Sequence, residues 1–447
     1  MFQLPLTLQQ KCIELLEFSS LKSLRLVSKA SLPITTEALF NVVVFHPSDE
    51  SAAKYSHIVE DSKLKKLVQK VIINTDDDPD TELEQPEKEV PDYLRAALRH
   101  LGKFPNLKEA ELKFAFNCTQ REINGTRRYI AETVNFRTPV MQAFLDGLNH
   151  AESPMSRFDS ITVKNLQDWT SSDVYDSEDF KNVRDKLTRL ALQMTSDIEE
   201  SSPERTTNLP AFQQGISDSL PRHWLTPLQS QLTHLTLYSA HSMWGLYPLC
   251  DFRKLQFPNL ESLALGNYTI ARDWQIDWIL SHGPTLKELI LDGCPIITVL
   301  CFDNFEEDLR PPNLEPLPGS DPESPCYLMH VDLRWHNVLP KFESGLPNLE
   351  KFVLGCGDWD GQTMFEKRYD LKPEVFESRY YMFDGGTGPS QWLEPSDADD
   401  EEGIQFYTGV IDEEETLFPF PDCHDQDADA LRSLLGIISR RSGASTE

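Results

Sequence analysis

A short leucine frame recurs along the chain and constrains the fold more than any other feature of the sequence. Seven segments place apolar residues in an L-x-x-L-x-L pattern, whose last positions alternate as they do along a half-buried strand. In Leu286–Ile296 the pattern extends to its fullest form, L-x-x-L-x-L-x-x-C-x-I. The seven segments are Phe104–Phe114, Leu187–Met194, Leu232–Ala240, Phe257–Ile270, Thr285–Ile296, Tyr327–Val338 and Leu346–Gly355. Two weaker copies lie at Leu67–Thr75 and Phe158–Leu166. A plain α/β sheet yields one such frame by chance, so seven favour a repeat.

Amphipathic helical patterns lie between several of the frames, at Tyr93–Leu101, Pro139–Asn149 and Trp274–His282. The recurring order of helix, Pro-Asn-Leu and strand is typical of a leucine-rich-repeat solenoid. We therefore predict an α/β fold over residues 41–355, with parallel strands on one face and helices and loops on the other. Charged, proline-rich insertions are expected to form loops between repeats at Asp76–Pro91, Asp197–Gln213 and Glu306–Pro325.

Residues 1–40 follow a helical pattern instead. Thr7 and Gln10 match an S/T-x-x-E/Q capping box, which predicts the start of a first helix. Its apolar stripe consists of Leu8, Cys12, Leu15 and Leu16. A second helix follows Ser19-Ser20, and Pro33 ends it and suits the first turn of a short third helix. Asn41–Phe45 then has the pattern of a strand.

The charge balance bears on the class of partner. Aspartate and glutamate number 72 against 42 lysines and arginines, a formal net charge of −30. Such a field repels nucleic acid and anionic membranes and favours a basic protein partner. Residues 356–447 are predicted to be an acidic cap or tail, partly disordered, that ends in a helix at Leu431–Arg441. Whether its apolar islands pack on the last repeat or belong to a tail for a partner is left open.

Motifs for catalysis, cofactors and metals are absent from the sequence. We find no nucleophile elbow, phosphate-binding P-loop, H-E-x-x-H zinc motif or dinucleotide-binding glycine motif, so no enzymatic activity and no cofactor are expected. The eight cysteines lack the close pairs of a zinc site and are expected to be buried thiols. No secretory signal is recognised and no apolar run is long enough to cross a membrane, which favours the cytoplasm or nucleus.

The segment Leu4–Phe40 resembles the F-box motif. Leu4-Pro5 matches its opening, and Leu24-Arg25-Leu26-Val27-Ser28-Lys29 matches its L-x-x-V-S/C-K/R run. Leu6 stands where an acidic residue is usual, and Ser31 and Leu32 lie where a tryptophan is usual. With the repeats that follow, the whole chain resembles an F-box/leucine-rich-repeat protein of the fungal type.

The resemblance implies a substrate receptor of an SCF-type cullin-RING ubiquitin ligase. The box would bind a Skp-type adaptor, and through it the cullin and RING subunits, while the repeats hold a protein substrate. The positions implied for adaptor contact are Leu4, Pro5, Ile13, Leu16, Leu21, Leu24 and Val27. Strand residues expected to face solvent form the candidate substrate face: His234, Thr236, Lys287, Glu288, Asp332 and Arg334. The alternative is a repeat scaffold that binds proteins without the adaptor, motivated by the missing acidic residue and tryptophan.

Overall fold

The structure is a computed structural model, and it describes most of the 447-residue chain. The described residues are 5–76, 89–116, 118–119, 132–150, 157–168, 171–196, 211, 214–240, 242–302, 314–316, 323, 325–359, 363–385, 392–393, 396–397, 404–408 and 416–441. The chain divides into two compact units. The first comprises Met1–Asn117, Arg121–Lys164 and Ser171–Leu187, and the second Cys118–Gln120, Asn165–Thr170 and Thr188–Glu447.

Strands and helices alternate along much of the chain. The strands are β1 (Val42–Phe45), β2 (Lys70–Asn74), β3 (Glu109–Lys113), β4 (Cys118–Thr119), β5 (Glu132–Thr133), β6 (Ser160–Gln167), β7 (Arg189–Thr195), β8 (His234–Ser239), β9 (Ser262–Gly266), β10 (Glu288–Asp292), β11 (Ile296–Phe302), β12 (Tyr327–His330), β13 (Lys351–Gly355), β14 (Tyr380–Asp384), β15 (Trp392–Leu393), β16 (Ser396–Asp397), β17 (Ile404–Thr408) and β18 (Thr416–Pro419). The α-helices are α1 (Leu6–Glu14), α2 (Phe18–Val27), α3 (Leu32–Asn41), α4 (Asp49–Glu60), α5 (Asp92–Arg99), α6 (Val134–Asn149), α7 (Ser172–Tyr175), α8 (Glu178–Arg184), α9 (Asp273–Leu280), α10 (Trp335–Gly345), α11 (Met364–Lys367) and α12 (His424–Arg441). Shorter turns of 3₁₀-helix occur at Leu64–Lys66, His100–Lys103, Thr226–Leu228 and Phe252–Lys254, and a π-helix spans Gly215–Leu225.

Each unit contains parallel strands that follow one another in chain order. In the first unit β1, β2, β3 and β6 lie side by side, and in the second β7, β8, β9, β10 and β13 do so. Six of the seven leucine frames and both weaker copies supply eight of these nine strands, and the ninth is the predicted strand at Val42–Phe45. The prediction of an α/β fold with parallel strands and intervening helices is therefore confirmed.

The alternating leucines explain why the frames become strands. In β10, Leu289 and Leu291 are completely buried on one side of the strand. Leu289 lies in register with Leu263 of β9 and Phe352 of β13, so successive frames stack equivalent apolar side chains into one core. A period of two can bury one row of side chains against the helices only when the backbone is extended.

The recurring Pro-Asn-Leu triplet joins neighbouring repeats by a hydrogen bond. Each asparagine donates from Nδ2 to a backbone carbonyl just before the preceding parallel frame, at 2.6–2.8 Å: Asn106 to Lys66, Asn259 to Ser230 and Asn348 to Pro284. The leucine that follows each asparagine is completely buried. The triplet thus both anchors the turn and begins the strand.

The remaining frame, at Tyr327–Val338, does not form a repeat, and the prediction of a repeat there is wrong. Its strand β12 pairs antiparallel with β11 in a separate sheet of order β12-β11-β14-β15. The asparagine of the next frame, Asn348, reaches past this segment to Pro284. Because β11 follows β10 after only three residues, it offers its own edge to β12, and the frame pairs there.

The C-terminal region packs by its last helix. On α12 the apolar side chains of Leu431, Leu434 and Ile438 are buried, and the Arg441 guanidinium donates to the Leu346 carbonyl at 2.9 Å. The helix begins at His424, earlier than the predicted Leu431. The last helix therefore packs on the second unit, while most of the acidic stretch before it lies outside the described residues.

Candidate functional site

Helices α1, α2 and α3 form a small helical motif at the start of the first unit. The buried Ser31 hydroxyl donates to the Leu24 carbonyl at 2.8 Å, which joins the end of α2 to the start of α3. Arg25 Nε donates to Thr36 Oγ1 at 3.1 Å across the same pair of helices. Three helices are present, but α1 begins at Leu6 after Pro5, with no side-chain cap. The predicted capping box is therefore wrong.

The residues predicted to contact an adaptor differ in exposure. Ile13 and Leu21 are buried, and Leu16 and Leu24 are half-buried. Pro5 and Val27 are exposed, and Leu4 lies outside the described residues. A motif of about 40 residues needs some of its apolar side chains for its own core. Ile13 and Leu21 serve that purpose, which leaves Pro5 and Val27 as the exposed residues among the six that the structure describes.

Other large apolar side chains on the same helices are exposed to solvent. We call this set the box surface: Leu8, Leu15, Phe18, Leu26, Val27 and Leu32. The most exposed are Leu26 at 87%, Leu15 at 86% and Val27 at 72%. Apart from Val27, these residues were missing from the predicted contacts. Consecutive apolar residues on a helix, as at Leu26-Val27 on α2, are the signal that could have identified such residues, because successive helical residues point about 100° apart and cannot all face one small core.

The segment that carries the box surface lacks the acidic charge of the rest of the chain. Residues 1–40 contain four basic and three acidic residues, a net charge of +1 in a protein of net charge −30. Lys22 and Lys29 are exposed beside the apolar residues, and Lys22 Nζ lies 4.3 Å from the centroid of the Phe18 ring. The surface therefore suits a partner with an apolar patch bordered by acidic groups.

The second candidate surface, the strand face, lies in the second unit. It is the row Thr236, Ala264, Ile290 and Val353, which adjacent strands bring into register. These positions alternate with the buried leucines, and Thr236 among them was expected to face solvent. Instead Thr236 is 5% exposed, Ala264 1% and Ile290 completely buried. The expectation that Thr236 faces solvent is wrong.

A later part of the chain covers the strand face. We call the described parts of this segment, Gly357–Trp359 and Thr363–Leu371, the strap. Met364 and Phe365 of the strap form one buried apolar cluster with Ala264, Ile290 and Val353. The strap comes from beyond the last frame, so frame periodicity could not reveal that it folds back over the strands.

A polar contact fixes one end of the strap. The backbone N–H of Gly357 donates to Asp292 Oδ1 at 2.8 Å, and the Tyr238 hydroxyl donates to Asp292 Oδ2 at 3.2 Å. The Tyr238 ring stacks on Trp359 with centroids 6.2 Å apart and lies over Gly266, where a Cβ atom would come within 2.2 Å of it. Burial raises the pKa of Asp292 to about 6, although these two hydrogen bonds lower it in part. No sequence motif marked this carboxylate.

Three other predicted substrate-face residues lie at the start of the strands. His234 and Glu288 are half-buried and in register through Ser262 of the strand between them. Lys287 is exposed and forms an ion pair with Glu261 at 2.9 Å. The structure thus brings His234, Lys287 and Glu288 together where the parallel strands begin, and the strap leaves them partly exposed there.

The last two predicted residues lie elsewhere. Asp332 is exposed and Arg334 half-buried, and Arg334 precedes α10 while donating to the Val331 carbonyl at 2.8 Å. Both follow β12, which is outside the parallel strands, so the structure does not place them with His234 or Glu288. Asp332 and Arg334 were expected to be strand residues of the candidate substrate face. That expectation is wrong for the same reason as the prediction of a repeat at Tyr327–Val338.

One buried side-chain cluster has metal-ligating residue types. His336, Cys423 and Asp427 bring potential ligand atoms within 4.8 Å of one another. The Asp427 carboxylate, however, already accepts hydrogen bonds from Arg379 Nε at 2.8 Å and from the Tyr380 hydroxyl. A cation would have to displace the Arg379 guanidinium, so the donor set fits a structural ion pair better than a metal.

Comparisons were made with family models and with curated proteins. No family model matches the chain, and the curated proteins contain no match either. Among the described residues, no helix has both the length and the apolar character that crossing a membrane requires.

Proposed function

We propose that residues 1–40 are an F-box-type docking surface for a Skp-type adaptor, and that the chain is a substrate receptor of an SCF-type cullin-RING ubiquitin ligase. The single observation that carries the proposal is the box surface. Leu26 and Val27 are largely exposed at the end of α2, within the F-box-like run, and Leu15 is largely exposed in the turn after α1. Burying one such side chain contributes roughly 1.5–3 kcal/mol. These exposed side chains favour a partner that covers them.

The adaptor role agrees with how the motif is built. Ile13 and Leu21 hold the helices together, while the neighbouring Leu15 and Leu26 point outward. The chain would have no reaction of its own on this proposal, and the ligase would act by holding a substrate near the ubiquitin-carrying enzyme. Its location would be the cytoplasm or nucleus, where such ligases act.

The substrate would be a protein, and the charge of the chain favours a basic one. Its binding should then weaken as salt rises, because exposed charges are screened over about 8 Å at physiological ionic strength. Proximity labelling with ligase activity blocked would identify candidates.

The test is adaptor binding by variants of the box surface. Replacing Leu26 and Val27 together by glutamate should weaken binding of the purified Skp adaptor about 100-fold, since two apolar contacts of this size are lost. Tyr369→Glu is the control for added negative charge, because it places one of the two added glutamates' worth of charge on a half-exposed aromatic of the second unit, and it should leave binding unchanged. Leu21→Glu should unfold the motif instead, since Leu21 is buried.

Two results would count against the proposal. Full-length protein that retains no adaptor at micromolar concentrations would favour the adaptor-independent scaffold. Equal loss of binding with Tyr369→Glu would show that the effect is one of net charge and not of the box surface.

A further inference from the structure

Two cysteines of the second unit lie in direct contact. Cys301 is the penultimate residue of β11, and Cys326 immediately precedes β12, which pairs antiparallel with β11. Their Sγ atoms are 2.7 Å apart. The two thiols are therefore in direct hydrogen-bond contact. The pairing of β11 with β12 holds both residues in place, since Phe302 and Tyr327 are direct partners.

Three other buried cysteines are engaged differently. Cys294 and Cys118 contact backbone carbonyls, at 3.3 Å to Leu265 and 3.1 Å to Ser196. Cys423 contacts Tyr380 and Asp427. Contact between two sulfurs therefore distinguishes Cys301 and Cys326 from these three thiols.

The surroundings accommodate an uncharged disulfide as well as they accommodate two neutral thiols. Cys301 and Cys326 are 3% and 8% exposed, and Cys301 lies in register with the buried Asp384 of β14. The hydrogen bond with Cys326, burial and Asp384 raise the pKa of the Cys301 thiol. A thiolate is costly in such a place, whereas a disulfide carries no charge and adds no polar group to the core.

We propose that Cys301 and Cys326 are a redox modification site. The two cysteines form a reversible disulfide with each other by exchange with low-molecular-weight disulfides such as oxidised glutathione. Cys326 reacts first, because it is the more exposed and adjoins β12, the edge strand of its sheet. Its thiolate attacks one sulfur of the small disulfide and releases one small thiolate. Cys301, deprotonated in turn, attacks the Cys326 sulfur and releases the second. The two cysteines lose two protons and two electrons, and the small disulfide becomes two small thiols.

The disulfide would fasten β12 to β11 and close the chain between them. Cross-linking restricts the unfolded chain, and for a loop of this length we expect the unfolding midpoint of the second unit to rise by roughly 5 °C. High thiol pKa values slow the exchange, so we expect oxidation over hours in the folded protein.

The experiment is oxidation of the full chain followed by peptide mapping. The folded protein is incubated with oxidised glutathione, then denatured in acid with an alkylating agent and digested without reductant. We expect a cross-linked peptide pair containing Cys301 and Cys326, about 2 Da lighter than the two thiol peptides together, that separates on reduction. The other six cysteines should be recovered alkylated.

Two variants and a denatured sample serve as controls for the cross-link, and the main result comes from the wild-type protein. Cys301→Ser should abolish the cross-link and trap glutathione on Cys326, whereas Cys294→Ser, also buried, should leave the cross-link intact. The same oxidation in denaturant should scramble the eight cysteines, so selectivity in the wild-type protein reports the folded geometry. Recovery of Cys301 and Cys326 fully alkylated, or of mixed partners from the folded wild-type protein, would overturn the proposal.

Discussion

Replacing Asp427 by alanine should release α12 from the second unit. The carboxylate is completely buried at the start of α12, and it accepts from Arg379 Nε at 2.8 Å and from His336 Nδ1 and the His336 backbone N–H, both at 3.0 Å. Without it the Arg379 guanidinium, 4% exposed, stays buried without its counter-ion. Breaking a buried ion pair on one side costs about 3–5 kcal/mol.

Hydrogen exchange measures this effect locally, which suits a chain of two units that need not unfold together. A loss of about 3 kcal/mol predicts that the amides of α12 exchange on the order of 100-fold faster in Asp427→Ala. Asp425→Ala is the matched control, because Asp425 is in the same helical turn with a fully exposed carboxylate. The helix dipole acts on both aspartates and cancels in the comparison.

The pH dependence of this effect has a definite sign. Burial raises the pKa of Asp427, but hydrogen bonds from Arg379, His336 and Tyr380 outweigh it, and the pKa is lowered overall. The stabilisation is therefore complete above the ordinary pKa of about 4 and is lost as pH falls below it. Equal exchange rates in Asp427→Ala and Asp425→Ala at neutral pH would refute the ion-pair argument.

Two further predictions concern the covered strand face. Because the pKa of Asp292 is raised to about 6, the folded state holds a proton that the unfolded state has lost. The protein should lose about 1.5 kcal/mol of stability between pH 5 and 7.5, and Asp292→Asn should remove that part of the pH dependence of the unfolding midpoint. Phe365→Ala should destabilise the second unit by about 3–5 kcal/mol in denaturant unfolding, because Phe365 is 2% exposed, whereas Tyr369→Ala, at a side chain 45% exposed, should cost less than 1 kcal/mol. Similar losses for the two variants would contradict the packing of the strap.

The N-terminal helices illustrate how far sequence can assign a surface. The order of apolar and polar residues predicts three helices and a break at Pro33, and the structure has α1, α2 and α3 there. Helical periodicity alone could not separate Ile13, which is buried, from Leu15, which is 86% exposed. Both are large apolar residues, but Ile13 lies on α1 and Leu15 in the turn that follows it, and only tertiary packing decides which of them is covered.

In the repeats, too, the sequence predicts local structure but not every tertiary contact. Alternation of leucines predicts strands because extended backbone places every second side chain on one face, and the Pro-Asn-Leu triplet predicts where each strand begins. Such local patterns depend on residues a few positions apart and are fixed by backbone geometry. The frame at Tyr327–Val338 has the same local pattern yet pairs antiparallel with β11, because the choice of a partner strand depends on which edge is available.

The sequence by itself determined the α/β class, the parallel strands and the helices between them. Only the tertiary structure decided that Met364 and Phe365 cover the strand face, that Thr236 is buried and that Asp292 accepts a hydrogen bond from Gly357. Tertiary structure likewise brings the sulfurs of Cys301 and Cys326 together across 25 positions of sequence. The physical reason is range: periodicity reports how a residue relates to its near neighbours, whereas burial and contact depend on distant segments that no local pattern identifies.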